Sequence, residues 1–83
     1  MNKVLVEVFI PAARRTYDIF IPRASRLSEI LMLLNRIVPD LSDRYFIAGR
    51  DTVLCSRHDG LIYNLNMTVE ELGLENGAQL MLI

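Results

Sequence analysis

Three groups of side chains in this chain have the types and spacing to do chemistry: a cysteine close to a histidine, a divided set of arginines, and the carboxyl terminus. The first, Cys55-Ser-Arg-His58-Asp59, holds a nucleophile, a base and an acid within five residues. Nucleophilic catalysis needs the base within hydrogen-bond reach of the thiol. On an extended strand, residues three apart project to opposite faces, so Cys55 and His58 diverge. A half-buried strand cysteine followed by a turn histidine is the simpler reading, and no catalytic residue and no enzyme activity is expected. One cysteine and one histidine also fall short of a four-ligand metal site. Neither a metal nor any other cofactor is expected.

Eight arginines stand against a single lysine, Lys3. Arginine suits fixed, bidentate contacts, whereas lysine is the target of acylation and isopeptide chemistry, so the chain would make a poor builder of isopeptide-linked polymers. Arg14 and Arg15 fall at the tip of a hairpin, and Arg23 and Arg26 follow its second strand at the other end. At about 3.3 Å per residue the two pairs lie roughly 20 Å apart and do not form one basic patch. With a net charge of −1, no global field draws the chain to nucleic acid or an anionic membrane. A nucleic-acid-binding or antitoxin-like module is therefore disfavoured. Arg23 and Arg26, beside a helix N-terminus, could hold an anion on its free amides. A solvated loop offset by Glu29 is the competing and simpler reading.

The elements that position these groups follow from the apolar pattern. Residues 4–10 are rich in β-branched side chains and predict a first strand. Pro11 ends it. Over 16–21, Tyr17, Ile19 and Ile21 alternate with Thr16, Asp18 and Phe20, which predicts a second strand and an antiparallel hairpin. Pro22 breaks the sheet, and Ser25 offers an N-cap hydroxyl. Leu27, Ile30, Leu31, Leu34, Ile37 and Val38 recur at helical spacing and give one apolar arc, ended by Pro39. Tyr45, Phe46 and Ile47 are expected to tuck beneath the core, or the loop over 40–51 to cover part of the sheet. Residues 53–57 predict a third strand, His58-Asp59-Gly60 a tight turn, and 61–63 a short fourth strand. Thr68-Val-Glu-Glu71 spells a capping box for a one-to-two-turn helix that Gly73 closes. Asn76-Gly77 then turns into a last strand over 78–83.

The order is ββαββ, short helix, β. A hairpin followed by a long helix lets the last strand return beside the first, so that two largely apolar strands become parallel central neighbours. That arrangement is an α+β fold, the β-grasp: a mixed sheet packed on one main helix. The 83 residues and 52% apolar content predict a single domain, 1–83, since a chain this short buries only about 60–65% of its unfolded surface and needs a dense core. One cysteine excludes an internal disulfide and fits a reducing compartment. Glu7 and Pro11 interrupt the first apolar run, which disfavours a signal peptide, and no run approaches the roughly 20 residues of a membrane span. Localisation is expected to be cytoplasmic, without direct insertion into a membrane.

The ending Thr68-Val-Glu-Glu-Leu-Gly-Leu-Glu-Asn-Gly-Ala-Gln-Leu-Met-Leu-Ile83 is similar to that of ubiquitin-like proteins, where a capped short helix, a glycine and an apolar strand follow one another. From the first hairpin through Arg15-Thr-Tyr-Asp-Ile-Phe-Ile-Pro22 to Ile83, the chain resembles the YukD (EsaB) family of small bacterial ubiquitin-like proteins associated with type VII secretion. The resemblance implies a cytoplasmic accessory or regulatory part of a membrane secretion machine that acts by contact. Its motifs are structural, so it assigns no role to any residue.

Two expectations about sites complete the reading. Ubiquitin-type tags and sulfur carriers need a flexible Gly-Gly end that threads into an activating enzyme. Here the last residues, Leu80-Met-Leu-Ile83, are strand-forming, so a non-conjugated binding module is expected over the alternative of a degenerate sulfur carrier or tag. Strand alternation places Val4, Val6, Val8, Tyr17, Ile19, Ile21, Leu80 and Leu82 beneath the helix. Leu5, Glu7, Phe9, Phe20, Met81 and Ile83 then face outward. Five of these six are large and apolar, and an uncovered apolar patch on a small protein marks an interface. Leu5, Phe9, Phe20, Met81 and Ile83 are accordingly the candidate partner-binding residues, facing a protein of the secretion machine or a second copy of this chain.

Overall fold

A computed structural model describes residues 2–41 and 52–83. Strands β1 (Lys3–Ile10) and β2 (Arg15–Pro22) form an antiparallel hairpin in unbroken register, from Lys3 opposite Pro22 to Ile10 opposite Arg15. The alternation of β-branched residues in β1 is what the pleat converts into a buried face: Val4, Val6, Val8 and Ile10 are all inaccessible to solvent. Between the strands the chain reverses through a 3-10 turn, Pro11–Ala13. Pro11 sits in its first turn, where a missing N–H is harmless. Arg14 completes the reversal in the left-handed region, at φ 52°, with its amide donating to the Pro11 carbonyl at 3.1 Å.

Helix α1 (Leu27–Leu41) lays Leu27, Ile30, Leu34 and Val38 into the core, while Met32 and Leu33 stay exposed. The predicted Ser25 cap does not form. The first intrahelical bond runs from the Ile30 amide to the Arg26 carbonyl, which makes Arg26 the capping residue, and the Glu29 carboxylate reaches back to the Arg26 amide at 3.1 Å. Arg26 is held extended by a bridge to Thr68, a contact between distant segments that the local pattern does not encode. Nor does Pro39 end the helix. It lies in the last turn, and the helix runs on to Leu41.

Strands β3 (Leu54–Ser56) and β4 (Ala78–Leu82) complete a four-stranded mixed sheet of order β2-β1-β4-β3. β4 runs parallel to β1, with Val6 opposite Ala78 and Phe9 opposite Met81, and antiparallel to β3, with Leu54 opposite Leu82 and Cys55 opposite Met81. Its register is set at the preceding turn. Gly77, at φ 90°, donates to the Leu5 carbonyl at 2.8 Å, and Asn76 Oδ1 accepts the Leu5 amide at 2.9 Å. A side chain at Gly77 would be strained by that positive φ. Central strands pack fully: Leu80 and Leu82 join the β1 residues beneath α1, and Leu54, Val69 and Leu74 belong to the same buried cluster. Tyr17, Ile19 and Ile21 take the same face from β2, the first two half-buried.

This is the ubiquitin-like β-grasp. Two elements are smaller than the sequence predicts. The third strand spans three residues, and the expected fourth strand over 61–63 is a single bridge, Cys55 to Ile62, with the Ser56 amide donating to the Leu61 carbonyl at 2.8 Å. The expected short helix after Thr68 is one capped turn. Its capping box is complete: Thr68 donates its amide to Glu71 Oε1 at 2.9 Å and accepts the Glu71 amide on Oγ1 at 3.1 Å. Tyr45, Phe46 and Ile47, and the expected cover over the sheet from the loop before β3, lie outside the described residues.

Candidate functional site: the outer sheet face

The face of the sheet opposite α1 is assembled from alternate residues of all four strands. Leu5, Phe9 and Met81 are half-buried there, while Phe20 and Ile83 are 57% and 52% exposed. Cross-strand register sorts this face into rows. One row runs Thr16, Phe9, Met81, Cys55 and on to Ile62, which is 66% exposed. Another places Phe20 beside Leu5. Between them lies a polar row of Asp18, Glu7 and Gln79, with the Gln79 amide donating to Glu7 Oε2 at 3.2 Å.

The five predicted contact residues therefore do not make one continuous patch. Phe9, Met81 and Ile83 gather at the hairpin-tip end, and Leu5 and Phe20 at the other, about 13 Å away along β1 at about 3.3 Å per residue. Sequence alternation assigns each residue to a face. It does not say that Glu7, Asp18 and Gln79 fall side by side across three strands.

A second feature also escaped the pattern. The Arg57 guanidinium carbon sits 4.1 Å from the centroid of the Phe9 ring. The Arg57 amide donates to the Gln79 carbonyl at 3.0 Å, which carries the β3 ladder one residue further and delivers the side chain to this face. A cation over an aromatic face is attracted by the ring quadrupole. The apolar end of the face thus carries a fixed positive charge at its border.

Cys55 lies on the same face but is sealed, 1% exposed, with Sγ 3.6 Å from the Met81 carbonyl oxygen. Burial, reinforced by nearby Asp59, pushes the thiol up from its ordinary value, so it is a neutral weak donor inside the sheet. His58 is exposed in the following turn. Asp59 accepts the Leu61 amide at 3.0 Å, and that bond is the main reason its carboxyl is held below the usual range. The Cys-Ser-Arg-His-Asp run is a strand end and a stabilised turn.

The anion site considered at Arg23 and Arg26 loses its donors. The Leu27 amide donates to the Met67 carbonyl at 2.9 Å, the Ser28 amide to Leu65 at 3.0 Å and the Glu29 amide to Arg26 at 2.9 Å. Helix N-termini bind anions through amides left unsatisfied, and here the loop before Thr68 has taken two of them and the Arg26 carbonyl the third. Among the described residues, no group of three histidine, cysteine or acidic side chains could hold a metal ion, and no helix is long and apolar enough to cross a membrane.

No protein-family model and no curated protein matches this sequence. Solved structures do. The ubiquitin-like domain of the Mycobacterium tuberculosis type VII secretion protein EccD1 matches with a TM-score of 0.77 at 16% identity, over 100% of this chain and 99% of that one. The EccD5 ubiquitin-like domain from Mycobacterium xenopi matches with a TM-score of 0.83 at 18% identity, over 100% of this chain and 94% of its own. A chain of the ESX-5 inner membrane complex matches with a TM-score of 0.83 at 17% identity, over 100% of this chain and 21% of that one. At these identities the likeness establishes the ubiquitin-like fold.

Proposed function

We propose that this chain is a non-covalent protein-interaction module, an accessory or regulatory component of a type VII secretion machine acting in the cytoplasm. The observation that carries the reading is the full-length match to ubiquitin-like domains of EccD1 and EccD5 and to part of a chain in an inner membrane complex. Docking is assigned to the outer sheet face, through Leu5, Phe9, Phe20, Met81 and Ile83. Phe9, Met81 and Ile83 form its apolar anchor, and Arg57 supplies a charge beside it. Interface cores favour large apolar side chains bordered by arginine, because arginine combines an apolar stem with a planar guanidinium whose donors are fixed in a fork.

The test is affinity capture of secretion-machine components from the parent cells by the tagged chain, with a secretion assay alongside. Phe9→Asp and Met81→Asp each place a charge on this face without touching the residues beneath α1. Both should abolish capture and impair secretion while the amide spectrum stays native. Capture and secretion at wild-type levels in both variants would overturn the assignment.

A further inference from the structure

The outer flank of the sheet offers a second mode of contact. In the order β2-β1-β4-β3, β2 is an edge, and among the described residues no strand lies beyond its eight residues. The phase of its hydrogen bonds is fixed where the Arg23 amide donates to the Asn2 carbonyl at 2.8 Å. Hydrogen-bonded pairs alternate along an antiparallel ladder. With the observed register, Tyr17, Ile19 and Ile21 aim their backbone groups at β1, and Thr16, Asp18 and Phe20 aim theirs outward. Pro22, which has no N–H to offer, occupies the next outward position and ends the available edge.

Charge tells which strand the edge would accept. Asp18 lies directly opposite Glu7, in the non-hydrogen-bonded type of pair, where side chains approach most closely. Like charges so placed repel. Gln79 donates to Glu7 from its other side, and Asp18 remains exposed at the sheet margin. We propose that β2 takes an added antiparallel strand from a partner protein, an extended segment carrying arginine or lysine opposite Asp18 and apolar residues on either side. The cation would answer both carboxylates, and the apolar neighbours would extend the half-buried surface of Tyr17 and Ile19 on one face and Phe20 on the other.

A second copy of this chain fits poorly. The two-fold register that uses all three outward residues sets Thr16 against Phe20 and Asp18 against Asp18, bringing four carboxylates into one row. Shifting by two residues relieves that contact but leaves only Asp18 and Phe20 paired with one another and sets Thr16 against Pro22, which has no N–H. The edge thus suits a basic strand better than a second copy of itself.

This inference rests on the chain being a binding module, and it is tested on a different surface. The 15N-labelled 83-residue chain is titrated with the peptide acetyl-Val-Ile-Arg-Val-Thr-amide and with its Glu-for-Arg counterpart. The arginine peptide should slow hydrogen exchange at the amides of Thr16, Asp18 and Phe20 while leaving Tyr17 and Ile19 unchanged, since the latter already bond β1. The glutamate peptide should bind at least tenfold more weakly, and Asp18→Lys should reverse the preference. Unchanged exchange at the three outward amides overturns strand addition and leaves Asp18 as a guard against edge pairing, while equal binding of the two peptides overturns the selection of a basic strand by Asp18. The two readings fail separately. If Met81→Asp loses the captured partner while the peptides do not bind, the docking face stands and strand addition falls. If Met81→Asp keeps the partner while the arginine peptide binds, the docking face falls alone.

Discussion

The Arg57–Phe9 contact can be isolated by a double-mutant cycle. Deleting Arg57 outright would confuse two effects, because its aliphatic stem covers surface as well as carrying charge. Arg57→Met keeps most of the stem and removes the cation, and Phe9→Leu keeps an apolar side chain and removes the ring. The guanidinium lies 4.1 Å from the ring centroid, well inside the roughly 6 Å range of the interaction. Arg57 is exposed and Phe9 half-buried, which places the pair at the weaker end, about 0.5–1 kcal/mol. For a chain of this size that corresponds to a Tm change on the order of 2–6 °C. Urea unfolding of the wild type, both single variants and the double variant should give a coupling of about 0.5–1 kcal/mol. Additivity within about 0.3 kcal/mol would refute the reasoning, and Arg57 would then be a surface charge that happens to lie over a ring.

Four further outcomes are expected. Glu71 is held below its ordinary value of 4.5, chiefly by the Thr68 amide and then by its hydroxyl. Its contribution is therefore full above that value and lost as pH falls through the lower folded one, so Glu71→Gln should flatten the acid limb of a stability-against-pH curve. The Cys55 thiol, buried and raised, should react with iodoacetamide roughly tenfold more slowly in the native chain than in urea at the same pH. Arg14→Gly should raise stability by about 0.5–1 kcal/mol, because the left-handed conformation costs an L-residue about 1–2 kcal/mol and glycine gives back part through its own entropy. Leu34→Ala, at a position fully sealed from solvent, should cost about 2–5 kcal/mol by chemical denaturation.

Local patterns carried most of the fold. The Val4, Val6, Val8 alternation and the Leu27-to-Val38 spacing each encode a buried face, and Thr68 with Glu71 encodes a cap through residues three apart. Features closed by distant segments were not legible. Ser25 looks like a cap, yet the extended bridge from Arg26 to Thr68 moves the helix start one residue on, and the carbonyls of Leu65 and Met67 take the amides that would have bound an anion. The same limit applies to the site. Alternation put Leu5, Phe9, Phe20, Met81 and Ile83 outward, and the structure agrees. That they divide around Asp18, Glu7 and Gln79, and that Arg57 lies over Phe9, depends on pairings between residues up to 72 positions apart.

The parallel pairing of β1 and β4 has a mechanical consequence. β1 lies near the amino-terminal end of the chain and β4 near the other, and they run side by side in one direction. Tension applied to Lys3 and Leu82 in opposite senses pulls along both strands, so the bonds between Val6 and Ala78 through Phe9 and Met81 bear the load together in shear. The β1–β2 hairpin, drawn apart from its open end, would instead release its bonds one at a time. A pulling machine that gripped both ends of this domain would meet its stiffest axis, whereas one that engaged β2 could peel it from the sheet.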